Sequence, residues 1–350
     1  MKSNKCKLGD IITQRREKNN GENLPICGVT REGFIPPKQK DADTSLYNVF
    51  YKKDFVFNPA RMELNSIVYN NVYEKAICSS LYEVFYVNRP DIVLPEFLAL
   101  IVKQNWFTRY CEFLGSGSAR EYCRVANISQ IEINYPNLEE QKKIVKAYQT
   151  ITDRIALKRK INENLETTAE AIYQKMFVES PDKTEWTDGT VGDVLQLQRG
   201  HDLPRTEMLG GQYPVAGSTG TIGYHNQFTA EAPVIVMGRS GNIGNPRLYL
   251  CNCWTHNTSL YVKQFFSVEP VWAYYLLKNL NYDGFVGGSA VPTLNRNDVH
   301  AYGILIPPFE LQKSFSEKTM KLILSKEENL AEITKLEELK TTLLATISNR

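Results

Sequence analysis

The chain repeats itself, and this limits its fold more than any other feature. Leu8-Gly9-Asp10-Ile11-Ile12 recurs as Val191-Gly192-Asp193-Val194-Leu195, 183 positions later. Gly117-Ser118-Ala119 recurs as Gly288-Ser289-Ala290, 171 positions later. The second offset then holds without a gap, so that Pro136 meets Pro307, Leu138 Phe309, Glu139 Glu310, Gln141 Gln312 and Lys142 Lys313. Such collinear matches mark one supersecondary unit built twice. The change of offset makes the second variable block 12 residues shorter than the first.

Each unit closes on a long charged segment free of Gly and Pro, about 137–177 and 310–348. In the first, Ile144, Tyr148, Ile151, Ile155, Leu165, Ala169, Ile172 and Met176 are spaced by threes, fours and their sums, the seam of a heptad helix. Around Lys158 to Asn162 the seam turns polar, with Leu157 and Ile161 as alternative contacts. Leu322, Ile333, Leu336, Leu343 and Ile347 continue the same register in the second segment. About 40 residues at 1.5 Å each make a helix of roughly 60 Å. A lone helix cannot bury such a seam, so the two are predicted to pair antiparallel, with a globular module near each end of the resulting rod.

Both variable blocks read as several strands, one helix and a Gly-rich turn. Predicted strands are 48–57, 66–69 and 81–87 in the first block and 233–237, 247–253 and 258–262 in the second, with helices over 95–109 and 270–280. The Gly-rich turns are Gly115-Ser116-Gly117-Ser118 and Gly287-Gly288-Ser289. Gly238-Arg239-Ser240-Gly241-Asn242-Ile243-Gly244 lacks a P-loop lysine and is followed by strand-like sequence, which predicts a hairpin rather than a phosphate loop. The expected fold class is α+β. Two mixed α/β modules (1–136 and 179–307) alternate with two long helices (137–178 and 308–350) that pair as an antiparallel coiled coil, a pseudo-two-fold tandem repeat.

Several chemistries are excluded. No apolar run reaches the 18–20 residues a membrane span requires, and the polar start, Met1 to Asp10, has no signal-peptide core, so a cytoplasmic location is expected. The seven cysteines are scattered and odd in number, which argues against a disulfide framework. Cys251 and Cys253 are expected on one face of a strand as buried or half-buried free thiols. With His256 the only further ligand nearby, they do not complete a zinc site. There is no Walker A, H-E-x-x-H or G-x-S-x-G motif, and Asn58-Pro59-Ala60-Arg61 is not the Asn-Pro-Pro-aromatic loop of amino-methyltransferases. All four histidines fall in the second unit. Duplicated modules without duplicated catalytic residues suggest double recognition, not double catalysis, and no catalytic or metal-binding residue is predicted.

The ordered duplication resembles the specificity (S) subunits of type I restriction-modification systems. Its carriers are Leu8-Gly9-Asp10 and Val191-Gly192-Asp193, Gly288-Ser289-Ala290-Val291-Pro292, Ile306-Pro307-Pro308, the long helices with Leu165-Glu166 and Leu336-Glu337, Asn58-Pro59-Ala60-Arg61 and Tyr213-Pro214-Val215. The resemblance implies that each variable block is a target recognition domain reading one half of a bipartite site on double-stranded DNA. It also implies that the helices set the spacer and dock two modification (methyltransferase) subunits, which restriction (translocase/endonuclease) subunits then join. S-adenosylmethionine, ATP and Mg would be used by those partners and none bound by this chain. Leu24-Pro25-Ile26-Cys27-Gly28 is the weaker counterpart of Tyr213-Pro214-Val215-Ala216-Gly217.

Residues 1–136 hold 18 basic and 15 acidic residues, residues 178–307 only 8 and 11. DNA affinity leans on phosphate neutralisation, so the second module is expected to bind weakly alone, with partner subunits supplying much of the phosphate contact. Base readout needs Arg, Lys, Asn, Gln or His on protruding loops. The candidates are Arg15, Arg16, Lys18, Asn58 and Arg61 in the first module, and Arg199, His201, Arg205, Ser218, Thr219, Arg239, Asn242 and Arg247 in the second, each with an ordinary solvated role as the alternative. A specificity subunit of a type II enzyme, or a non-catalytic coiled-coil scaffold with two binding modules, remains open.

Overall fold

The computed structural model describes residues 4–37, 43–115, 122–208, 210–282, 285–287 and 293–348. The Gly-Ser-Ala segments at 117–119 and 288–290, with Val291-Pro292, lie outside these residues. The chain forms two compact units, Met1–Leu157 with Glu332–Arg350, and Lys158–Ala331.

The first unit opens with β1 (Asn4–Lys7) and β2 (Ile12–Arg15), followed by β3 (Ile26–Val29), β4 (Phe34–Ile35), β5 (Asn48–Tyr51), β6 (Phe55–Phe57), β7 (Ile67–Tyr69), β8 (Lys75–Cys78), β9 (Glu83–Val87) and β10 (Glu132–Tyr135). Two four-stranded sheets result, β2-β9-β6-β7 and β4-β3-β8-β5, and β1 pairs with β10. The predicted strand over 48–57 is in fact two strands in different sheets. Lys53 turns to φ +72°, and buried Asp54 accepts the Tyr51 N–H at 2.8 Å, closing the turn. The predicted helix over 95–109 also divides, into α1 (Pro95–Val102) and α2 (Asn105–Gly115). Helix α3 (Val125–Ile128) precedes β10, and the long helix α4 (Leu138–Tyr173) follows it. Phe55 stacks on Phe85 with ring centroids 4.8 Å apart, inside a core of Leu8, Ile11, Phe57, Phe97 and Phe107 that has no exposed surface. Each such side chain contributes roughly 2–3 kcal/mol by leaving water.

The second unit repeats the plan. β11 (Thr187–Thr190) pairs with β21 (Gly303–Ile306) in registers 183 and 171 positions from those of β1 and β10. Between them lie α5 (Val191–Val194), β12 (Leu195–Arg199), β13 (Tyr213–Gly217), β14 (Gly220–His225), β15 (Val234–Gly238), β16 (Gly244–Tyr249), β17 (Trp254–Thr255), β18 (Ser259–Phe265), α6 (Pro270–Lys278), β19 (Val286–Gly287), β20 (Thr293–Leu294) and α7 (Arg296–His300), and α8 (Phe309–Ser348) closes the chain. The sheets are β12-β18-β15-β16 and β14-β13-β17. β15 and β16 form the predicted glycine-turned hairpin, Gly238 opposite Gly244.

The Gly-Asp pairs have a packing reason. A Cβ on Gly9 would stand 3.0 Å from the Ser129 carbonyl oxygen, and one on Gly192 3.3 Å from that of His300. The following carboxylates accept backbone N–H groups, Asp10 from Lys7 and Asp193 from Thr190.

Within each unit the long helices lie side by side with opposed directions. In the first, Arg154 bonds Glu332 and Lys340 lies over the Tyr148 ring, while Leu344 and Ile347 reach the core. In the second, Lys158 and Asn162 meet Asn329, and Glu166 meets Lys326. Leu157 and Ile161 are exposed. The seam passes instead through buried Asn162, whose Oδ1 accepts the Asn329 amide at 2.8 Å.

Candidate nucleic-acid interface

Arg15 ends β2 opposite Val84, and Val56 of β6 faces the same Val84. Arg199 ends β12 opposite Leu260, and Met237 of β15 faces the same Leu260. Arg15 and Arg199 therefore occupy one node of equivalent sheets. From that edge leave the segments containing Asn58–Arg61 in the first unit and Arg239–Asn242 in the second.

The other sheets match as well. Parallel β3 and β8 align Ile26 with Ile77 and Cys27 with Cys78, as parallel β13 and β17 align Val215 with Trp254 and Ala216 with Thr255. Leu24-Pro25-Ile26-Cys27-Gly28 is thus the topological counterpart of Tyr213-Pro214-Val215-Ala216-Gly217.

In the second unit three turns converge. The Asn242 amide donates to the Ser218 carbonyl at 3.0 Å, Ser218 N–H to Thr258 Oγ1 at 3.4 Å, and Arg239 N–H to the Thr258 carbonyl at 3.0 Å. His201 joins them, since its N–H donates to the Thr255 carbonyl at 2.7 Å and its ring packs near Trp254 and Tyr261. The approach is tight enough to require glycine at 238, where a Cβ would fall 1.5 Å from the Asn242 carbonyl oxygen. Thr219 is exposed at the tip of the β13–β14 turn, and the exposed Arg247 guanidinium lies against Gly220 of the same turn. Arg199 is exposed at the end of its strand. Arg205 lies on a separate 3-10 turn whose Glu207 carbonyl hydrogen-bonds His225. Asn242 is a brace, since its Oδ1 also accepts the Asn245 amide.

The first unit spends more of its candidates on structure. Arg15 binds Asp54 through two nitrogens, at 2.6 and 3.1 Å, and its guanidinium lies 4.7 and 4.8 Å from the ring centroids of Tyr51 and Tyr86. Lys18 donates to the Leu46 carbonyl and Asn48 Oδ1. Asn58 Oδ1 accepts the Ala60 N–H and caps a 3-10 helix, Pro59–Leu64. Arg61 is exposed on that helix, and Arg16 is exposed with its guanidinium on Gln14. Arg124 reaches the same edge through Glu83, and its neighbour Cys123 is tied there by an N–H bond to the Pro59 carbonyl. Arg124 escaped the repeat pattern because its counterpart 171 positions later is Asn295.

Cys251 and Cys253 do not share a strand face, because β16 ends at Tyr249, leaving Cys251 exposed and Cys253 buried. Among the described residues no three His, Cys, Asp or Glu side chains are grouped to hold a metal ion, and no helix is long and apolar enough to cross a membrane. Burial, with Arg296 nearby, lowers the His300 pKa. Its Nε2 accepts the Leu197 N–H at 2.8 Å, a structural role for the neutral ring.

Known proteins share the duplicated plan. The family described as type I restriction modification DNA specificity domain matches residues 4–167 and again residues 183–340. The HindI type I restriction enzyme specificity subunit of Haemophilus influenzae is 25% identical over 191 residues, 54% of this chain and 39% of that protein. The MjaIX specificity subunit of Methanocaldococcus jannaschii is 28% identical over 134 residues, 34% of this chain and 31% of that protein. The matched stretches thus span well under half of either relative. The crystal structure of a type I restriction-modification S subunit from M. genitalium shares the fold, with a TM-score of 0.70 over 99% of this chain and 96% of that one, at 16% identity. Matched twice over nearly its whole length, the chain belongs to the type I restriction modification DNA specificity domain family.

Proposed function

We propose that the chain is the sequence-reading subunit of a type I restriction-modification complex and that each unit reads one half of a bipartite site on double-stranded DNA. The observation that carries this reading is the duplicated polar edge. Equivalent sheets present Arg16, Asn58 and Arg61 in one unit and Arg199, His201, Thr219 and Arg239 in the other. Such groups on protruding turns suit hydrogen bonding to base edges. The helices α4 and α8 set the spacer and dock two modification subunits. Restriction subunits, S-adenosylmethionine, ATP and Mg belong to the rest of the assembly, and the chain itself acts in the cytoplasm without catalysis. The basic balance of the first block and the acidic balance of the second support a complex in which partners contribute phosphate contacts.

The test is methylation-aware sequencing of DNA from cells with and without the gene. A split, asymmetric motif that is methylated only when the gene is present is expected. If purified chain and modification subunits methylate no such motif and shift no duplex at any salt concentration, a scaffold function replaces this reading. Inserting one heptad into each long helix is expected to lengthen the spacer and leave both half-sites unchanged.

A further inference from the structure

We infer that Arg124 reads a base in the first unit, its guanidinium held by Glu83 and Tyr122 to meet the major-groove edge of a guanine. The inference rests on the DNA-reading function proposed above and names a residue and a ligand within it.

Place is the first argument. Cys123 N–H donates to the Pro59 carbonyl at 3.0 Å, tying its segment to the loop that leaves β6. In the second unit Leu294, 171 positions after Cys123, donates its N–H to the Arg239 carbonyl at 2.8 Å, a like tie to the loop that leaves β15. The next residue differs between the units. Asn295 turns its Oδ1 to the Asn297 N–H and its amide to Asp298, capping α7. Arg124 instead extends a side chain that is 64% exposed. A shared backbone frame with unlike side chains is what two readers of unlike half-sites require.

Preorganisation is the second argument. The Arg124 backbone N–H donates to Asn127 Oδ1 at 3.0 Å. Glu83, whose side chain is only 11% exposed, accepts the Val125 N–H at 2.7 Å with one oxygen and faces Arg124 Nη1 at 3.4 Å with the other. The Arg124 guanidinium lies 5.6 Å from the Tyr122 ring centroid. A mobile cation is enough to grip a phosphate, whereas bidentate contact with guanine O6 and N7 needs a planar fork held in place. Arg15 is held more tightly still, but both arms of its fork bind Asp54.

The experiment uses the full chain with its modification subunits and a randomised duplex library, comparing wild type, Arg124→Ala, Arg124→Lys and Glu83→Gln. Methylation preference is read at every position of both half-sites, and binding to the preferred duplex is followed against salt. Arg124→Ala is expected to lose about 5- to 150-fold discrimination at one G·C position of the first half-site, the range of a bidentate contact. The second half-site and the salt slope should stay unchanged. Lysine should not restore the preference, and Glu83→Gln, which keeps an acceptor for Val125 N–H, should relax the same position less. Uniform weakening with a salt slope shallower by about one would make Arg124 a phosphate contact and overturn the inference, as would unchanged preference in the alanine variant. Should the alanine variant fail to fold, the lysine variant decides on the same two readouts. A wild-type complex without any sequence preference would instead overturn the DNA-reading function beneath it.

Discussion

Gln141, which has no exposed surface, holds Leu94 at the start of α1, its Oε1 accepting the Leu94 N–H at 2.8 Å. Its Nε2 donates to the Ile92 and Pro136 carbonyls, both at 2.9 Å. Gln312 repeats the clamp with the Glu269 N–H and the Pro307 carbonyl. One side chain thus fastens the short helix of each unit to the beginning of its long helix. Gln141→Leu leaves three backbone groups, buried or partly buried, without their partner and should cost about 2–4 kcal/mol. Gln312→Leu strands two and should cost less. Urea denaturation of each variant measures the difference, and equal costs would refute the clamp account.

Asn162 and Asn329 form a buried polar contact in the seam, and Asn162 Nδ2 has no partner among the described residues. Buried polar pairs select helix register at some expense of stability. Replacing both by Leu should raise Tm by several degrees and broaden the oligomers seen by analytical ultracentrifugation. Replacing Asn329 alone should lower Tm, because it strands Asn162 Oδ1.

Glu166 accepts hydrogen bonds from Lys326 at 2.8 Å and Lys278 at 3.0 Å. Lys326 first, and Lys278 with it, hold its pKa down at about 2 against the cost of burial. A carboxyl depressed on folding stabilises above its unfolded pKa, and that contribution fades as pH falls. Its side chain is 44% exposed, so Glu166→Gln should cost only about 1 kcal/mol at pH 7. The gap between variant and wild type should close between pH 4.5 and about 2.

Lys103 donates to the Arg31 and Ile67 carbonyls at 2.7 and 2.8 Å, and burial brings its pKa down to about 8. The unfolded chain therefore holds this proton more tightly than the folded one. Wild-type stability should rise relative to Lys103→Met as pH climbs from about 8 to 10.5. Thermal melts of the two proteins across that range give the sign directly.

Arg15 and Arg61 should separate structure from reading. Arg15→Ala leaves Asp54, 2% exposed, without its guanidinium and should cost about 3 kcal/mol. Arg61→Ala, at an exposed site, should change stability by no more than about 0.5 kcal/mol. In the assembled complex it should weaken or relax recognition of the first half-site, as a methylation assay on variant duplexes would reveal.

The duplication, the long helices and the two-unit plan are legible in the residue order because local patterns carry them. A heptad seam, a Gly that must pack against a carbonyl and a Gln that must fill a buried clamp leave their mark at offsets of 183 or 171. The recognition edge was legible only as a class of polar loop residues. Tertiary structure decided which of them are engaged, because their partners lie far along the chain. Arg15 is taken by Asp54 39 positions away, and Asn162 is buried by Asn329 167 positions away. The turn at Lys53 sends β5 and β6 to separate sheets. Arg124 joins the edge only through its own bond to Glu83 and the bond of neighbouring Cys123 to Pro59, both across the fold. Periodicity records which face of an element is buried, whereas a hydrogen bond between distant residues exists only once the chain has folded back on itself.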